Sequence, residues 1–179
     1  MKYSARWIAL SVGAVVVGLG IVLAMQVGND PRIDATKSQL VGQPAPELSL
    51  RALDGTAVDT NTLLGKAVIV NFWNSWCIPC RNELPALKEF ANRYRDDPGV
   101  ALVGIVRDDS TRAIKAYVKA EGIDWVIVTD PDSRAALDFA TRGQPETFAL
   151  DANGLITGAQ IGPTTLRDLE SLLGSAQGR

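Results

Sequence analysis

The sequence predicts an α/β fold, a sheet covered by helices on both faces, carried behind one N-terminal transmembrane helix. Three observations predict it. Beyond residue 42, short apolar runs of strand length alternate with stretches of helical periodicity. The alternation ends in a hairpin pattern and one more helix. Ahead of residue 28, Trp7 to Val27 reads WIALSVGAVVVGLGIVLAMQV without a charge.

Bulk properties narrow the function before any motif is considered. The 179 residues suffice for one domain with a real core. With 46% hydrophobic and 21% charged residues the chain is globular in character. A net charge of −2 leaves no basic footprint for nucleic acid. The absence of histidine removes Ser-His and Cys-His pairs and every His metal or haem ligand. Two cysteines allow one internal pairing.

The first element is the apolar run. A helix over residues 7–27 would be about 31 Å long, matching a hydrocarbon core of roughly 30 Å. No face of it is polar, which argues against a core helix. A cleaved signal peptide is the alternative, but the run exceeds the ~7–15 residues of a signal core and no clear cleavage site follows. The expectation is an uncleaved anchor over 7–27. Lys2 and Arg6 place residues 1–6 in the cytoplasm and the body of the chain outside. Residues 28–41 read as a polar linker reaching at most about 46 Å, and 42–179 as the folded domain.

Within the domain, Glu47–Leu53 and Thr56–Val58 flank the turn signal Asp54-Gly55. Ala67–Trp73 is a continuous, β-branched apolar run, as expected of a strand buried on both faces. Ile78–Arg95 carries Leu84, Leu87, Phe90, Ala91 and Tyr94 at core-facing helical spacing. Val100–Val106 is a second buried strand. Thr111–Glu121 is a helix with Ile114, Tyr117 and Val118 on one face, stopped by Gly122. Trp125–Val128 reads as a short strand and Ser133–Thr141 as a short helix. Thr147–Leu150 and Leu155–Ile161 form a hairpin around Asp151–Gly154, and Thr164–Leu173 closes with a helix.

Cys77-Ile-Pro-Cys80 falls where the most hydrophobic strand gives way to a helix. Residues three apart in a first helical turn share a side, so the sulfurs can meet. A cysteine at a helix N-terminus is favoured as thiolate by unpaired N–H groups and the macrodipole. That suits disulfide exchange, with Cys77 attacking and Cys80 resolving the mixed disulfide. A zinc half-site lacks its second pair of ligands. Two packed hydrophobes fit poorly beside Trp76 and Pro79. A static disulfide closes too small a loop to stabilise much.

The segment Val70-Asn-Phe-Trp-Asn-Ser-Trp-Cys-Ile-Pro-Cys-Arg-Asn-Glu-Leu-Pro85 resembles the active-site stretch of the thioredoxin superfamily, and is most similar to the TlpA/ResA/CcmG group of membrane-tethered thiol–disulfide oxidoreductases. Gly42-Gln-Pro-Ala-Pro46 and Gly143-Gln-Pro-Glu-Thr-Phe148 match the same group, and the order agrees over about residues 42–174. The resemblance implies a thioredoxin-like fold with a central mixed sheet flanked by helices, and Cys77 and Cys80 as the redox pair. It makes Trp76 and Pro79 the flanking client-contact residues, and Pro145 a cis-proline preceded by Gln144, which offers backbone hydrogen bonds to an extended client. Asn71 and Trp73 are then structural neighbours of the pair. Glu83 matches an acidic residue of the group and reads either as a proton relay for Cys80 or as a first-turn complement to the helix dipole.

The expectation that follows is an extracytoplasmic, single-pass membrane enzyme, a disulfide reductase with no cofactor beyond its own Cys77–Cys80 couple. Its partners would be protein thiol clients, apocytochrome c in cytochrome c maturation among them, and a membrane thiol-transfer electron donor. Nucleic acid is not among them. A disulfide-forming oxidase and a non-enzymatic interaction domain are the alternatives. A peroxiredoxin would need a Thr-x-x-Cys site, and a copper carrier a histidine; both are missing.

Overall fold

The computed structural model describes residues 5–27 and 38–179, with side chains of the first helix described for Trp7, residues 10–19 and Ile21. Residues 1–4 of the expected cytoplasmic segment and the expected linker up to residue 37 lie outside the described residues. The chain divides into two compact units, Met1–Thr36 and Lys37–Arg179. In the first, helix α1 spans Ala5–Val27. Its described apolar side chains, from Trp7 through Leu10, Val15 and Leu19 to Ile21, are all more than half exposed. Counted over the described residues alone, no helix is long and apolar enough to cross a membrane.

The second unit is a seven-stranded mixed sheet with helices against it. In chain order it comprises β1 (Ser49–Ala52), β2 (Ala57–Asp59), α2 (Thr60–Leu63), β3 (Ala67–Trp73), α3 (Ile78–Arg93), β4 (Val100–Arg107), α4 (Thr111–Glu121), β5 (Val126–Asp130), α5 (Arg134–Asp138), β6 (Glu146–Leu150), β7 (Ile156–Ile161) and α6 (Leu166–Ala176). The strand order is β2-β1-β5-β4-β3-β6-β7. β3 runs parallel to β4 and β4 to β5, while every other neighbouring pair is antiparallel.

β3 lies deep in the sheet and is buried at every position, as its unbroken apolar run requires. The period of two sends its side chains to opposite faces. Ala67 and Ile69 join Leu87 and Phe90 of α3 and Leu169, Leu172 and Leu173 of α6. Val68, Val70 and Phe72 join Val103, Ile105, Phe148 and Phe139 on the other face. There Phe72, Phe139 and Phe148 form a triangle with ring centroids 5.2–5.9 Å apart. Leu40 packs against this second cluster, so the fold takes in residues ahead of 42.

Element boundaries moved where polar side chains cap backbone ends. β5 begins after Trp125 and runs to Asp130, whose buried carboxylate accepts the N–H groups of Ala135 and Ala136. α5 is shorter than the expected Ser133–Thr141, ending at Asp138 just ahead of Ala140, whose φ is +49°. α6 starts after Thr165, which forms a reciprocal capping box with Asp168. α2 was not expected at all. Its four residues are too few to show a period and are held by a capping box between Asp59 and Thr62.

Candidate active site

β3 ends at Trp73, and three buried or half-exposed residues lead into α3. Cys77 is the N-cap of α3, and its Sγ accepts the N–H of Cys80 at 3.2 Å. Cys77 and Cys80 are joined as a disulfide. Both are buried, at 4% and 5% exposure, whereas Trp76 is 53% and Ile78 70% exposed, with Pro79 exposed beside them. Pro79 sits in the first turn, where backbone N–H groups have no helical partner, so its missing donor costs no helical bond. The pair thus lies at the floor of a small apolar rim.

A second loop reaches the pair from the far side of β3. The Gln144–Pro145 peptide is cis, and the Gln144 carbonyl lies 3.9 Å from Cys77 Sγ. In the disulfide this is a contact; a reduced Cys77 would donate its S–H there. Pro145 is buried, its carbonyl accepting the N–H of Gly162 at 2.9 Å. The Gln144 side chain accepts from Arg107 Nη2 at 3.4 Å.

The turn after β4 braces the approach to the cysteines. The Asp108 carbonyl accepts from Asn74 Nδ2 at 3.3 Å and from the Trp76 indole at 3.2 Å. Asn74 Nδ2 also donates to the Arg107 carbonyl. Asp109 accepts the N–H of Ser75 at 2.8 Å. Arg81 returns to the Ser75 carbonyl from Nε at 2.9 Å, and its guanidinium lies 5.4 Å from the centre of the Tyr117 ring.

Behind the pair is a closed polar network. Glu83 is 1% exposed. Its carboxylate accepts from Asn71 Nδ2 at 2.9 Å and from the N–H and hydroxyl of Thr164 at 2.8 and 3.1 Å. Asn71 donates its second proton to Thr147 at 3.0 Å. Burial holds the Glu83 carboxyl above the usual carboxylate range, with the bonds from Thr164 and Asn71 opposing. No acidic residue stands in the first turn of α3, so Glu83 does not complement the helix dipole there. Asn71, Trp73, Cys80, Leu84 and Tyr117 are among the residues lining a small, mostly apolar cavity of about 10 Å³.

Trp73 packs its ring 5.7 Å from Tyr117. Its Nε1 is buried without a hydrogen-bond partner among the described residues. The indole fits because Gly104 lies beneath it, where a Cβ would come within 2.6 Å of Nε1. The nine residues singled out from the sequence therefore converge on one end of the sheet. Sequence reasoning missed Thr164, Glu146 and the 107–109 turn, which come close only through folding. Of these, Glu146 stood inside a quoted motif, the one signal available. Among the described residues no cluster of His, Cys, Asp or Glu could hold a metal.

Residues 41–159 match the AhpC/TSA family. Over 166 residues the chain is 32% identical to the thiol:disulfide interchange protein DsbE of Allochromatium vinosum, covering 91% of this chain and 88% of that protein. It is 29% identical over 140 residues to the thiol-disulfide oxidoreductase ResA of Bacillus thuringiensis, covering 78% and 80%. A crystal structure of a thioredoxin family thiol:disulfide interchange protein from Chlorobium tepidum superposes with a TM-score of 0.66 at 32% identity, covering 74% of this chain and 94% of that one.

Proposed function

The chain belongs to the AhpC/TSA family and is a thioredoxin-like thiol–disulfide oxidoreductase with the pair Cys77 and Cys80; from that premise we propose that it reduces disulfides of protein clients at the outer face of a membrane. The observation that carries this reading is the placing of Cys77 Sγ, at a helix N-cap, 3.9 Å from the Gln144 carbonyl, with Cys80 buried behind it.

In the reduced enzyme the Cys77 thiolate attacks one sulfur of a client disulfide. That S–S bond breaks, a mixed disulfide forms, and the departing client sulfur takes up a proton. Cys80 then loses its proton and attacks the Cys77 sulfur, which expels the second client thiol and closes Cys77–Cys80. Two electrons pass from enzyme to client. Trp76 and Pro79 form the rim that meets the client, and Gln144 pairs with its backbone. Glu83, three residues on from Cys80 and bonded to Asn71, is the group that takes up the Cys80 proton.

Glu83 also supports the reductive direction. It lies three residues after Cys80 on the same helix face. A buried carboxylate there opposes a second negative charge on Cys80, which disfavours the ionised dithiol and favours electron donation. Peroxide chemistry at a Thr-x-x-Cys site has no residue here, since Asn74 stands three before Cys77.

The membrane location rests on the uncharged run 7–27 and on the exposed apolar side chains of α1. Lys2 and Arg6 orient it with residues 1–6 in the cytoplasm. By resemblance to the ResA and CcmG branch, the clients are the haem-binding cysteines of apocytochrome c, and the electron donor is a membrane thiol-transfer protein.

The test is the reduction potential of the Cys77–Cys80 couple, equilibrated against dithiol buffers. A value near or below about −270 mV supports the reductant, and one near about −120 mV makes the enzyme a disulfide-forming oxidase.

A further inference from the structure

Glu146 is the first residue of β6, immediately after the cis peptide, and is only 4% exposed. A carboxylate so buried must be paired or hydrogen-bonded. Its Oε1 accepts the backbone N–H of Arg142 at 2.6 Å and of Gly143 at 3.1 Å. These are the two residues that lead into Gln144. On the other side, the Pro145 carbonyl is tied to Gly162 and Glu146 pairs with Ile161 across the β6–β7 ladder. The segment 142–145 is thus fastened on both sides of Gln144, whose carbonyl faces Cys77.

We propose that Glu146 is the positioning residue for client recognition: its carboxylate fixes the peptide planes of Arg142 and Gly143, so that the backbone of Gln144 is presented ready-made to an extended client segment beside Cys77. This rests on the reading of Gln144 as a client-pairing residue. Charge-assisted bonds from two successive N–H groups to one oxygen are stronger and more directional than neutral ones. Preorganising the loop removes an ordering cost that the client would otherwise meet on binding. The effect falls on recognition of a peptide backbone and leaves the sulfur chemistry alone, because Glu146 touches neither cysteine. Its side chain can be replaced without removing either redox atom, and Gln keeps one accepting oxygen in the same place.

The experiment compares the full chain with its Glu146→Ala and Glu146→Gln variants. The reduced proteins are mixed with a disulfide-bonded peptide of about ten residues, over a range of concentrations, and separately with 5,5′-dithiobis(2-nitrobenzoic acid), which has no peptide backbone. For Glu146→Ala, KM for the peptide rises about tenfold, while kcat, the rate with the small disulfide and the potential against dithiothreitol stay within about twofold. Glu146→Gln recovers most of the KM. An unmoved KM, or equal slowing with both substrates, overturns the proposal. If Glu146→Ala does not fold, amide hydrogen exchange on the unaltered chain decides: protected Arg142 and Gly143 amides support the clamp, and unprotected ones overturn it. Failure of the unaltered chain to reduce either disulfide would count against the oxidoreductase reading itself, a separate outcome.

Discussion

Glu83 and Thr164 are joined twice across 81 positions of sequence: one carboxylate oxygen accepts both the backbone N–H and the hydroxyl of Thr164, at 2.8 and 3.1 Å. The bond ties the cysteine-bearing helix α3 to the entry of α6. It places an ionisable group, with burial as its dominant influence, in the structural join behind the redox pair.

The pH dependence of stability follows from that placement. The folded-state pKa of Glu83 is raised above its ordinary 4.5. Its contribution to stability is therefore fully present below that value and is lost as pH rises through the folded pKa. Glu83→Gln, which cannot ionise, lacks this term. Thermal melting of both proteins from about pH 4 to pH 8 should show the wild type losing ground to the variant as pH rises. A gap that stays constant or moves the other way removes Glu83 as the titrating group.

The two cysteines should separate by role. Cys77→Ser lowers exchange by roughly three orders of magnitude or more, since the attacking sulfur is gone. Cys80→Ser still attacks but cannot resolve, so a client adduct accumulates that dithiothreitol releases. Non-reducing gel electrophoresis checks both. An adduct on Cys77→Ser and none on Cys80→Ser would reverse the assignment.

Gly104 is held to its identity by the ring above it. A Cβ there would lie 2.6 Å from Trp73 Nε1 and 2.7 Å from Ile127 Cδ1, so both side chains must shift. Gly104→Ala should cost about 1–3 kcal/mol by overpacking, a fall in Tm of roughly 3–10 °C. Differential scanning calorimetry reads it directly.

The anchor is tested by fractionation. The full chain should stay in the membrane pellet through carbonate washing, and a chain starting at residue 28 should be soluble. Release of the full chain by carbonate, or by removal of a leader, means that residues 7–27 do not hold it.

The redox pair and the sheet were legible because their signals are local. Ala67–Trp73 declared itself by composition alone, and it is buried along its whole length. Thr111–Glu121 had both a clear apolar face and a glycine stop, and it forms with those bounds, Gly122 adopting the left-handed conformation. Cys77 and Cys80 were read from their spacing together with the motifs that flank them. The supporting residues were illegible for the opposite reason. Thr164 reaches Glu83 from the end of the chain, and Asp108 reaches Trp76 from the turn after β4, and nothing in the local pattern of either announces a partner. β5 was displaced because Asp130, polar and adjacent to Pro131, looks like loop until its carboxylate is seen capping α5.

The rim around Cys77 hangs on a main-chain atom. The Trp76 indole and the Asn74 amide both hold the carbonyl of Asp108, and no change of side chain deletes a carbonyl. What position 108 must keep is its backbone shape, φ +50°, which Asn and Gly adopt readily and β-branched residues resist. Exposed side chains such as Ile78 and Pro79 can therefore be exchanged without removing either of those bonds, so the outer face of the rim and the frame that holds it are separately adjustable.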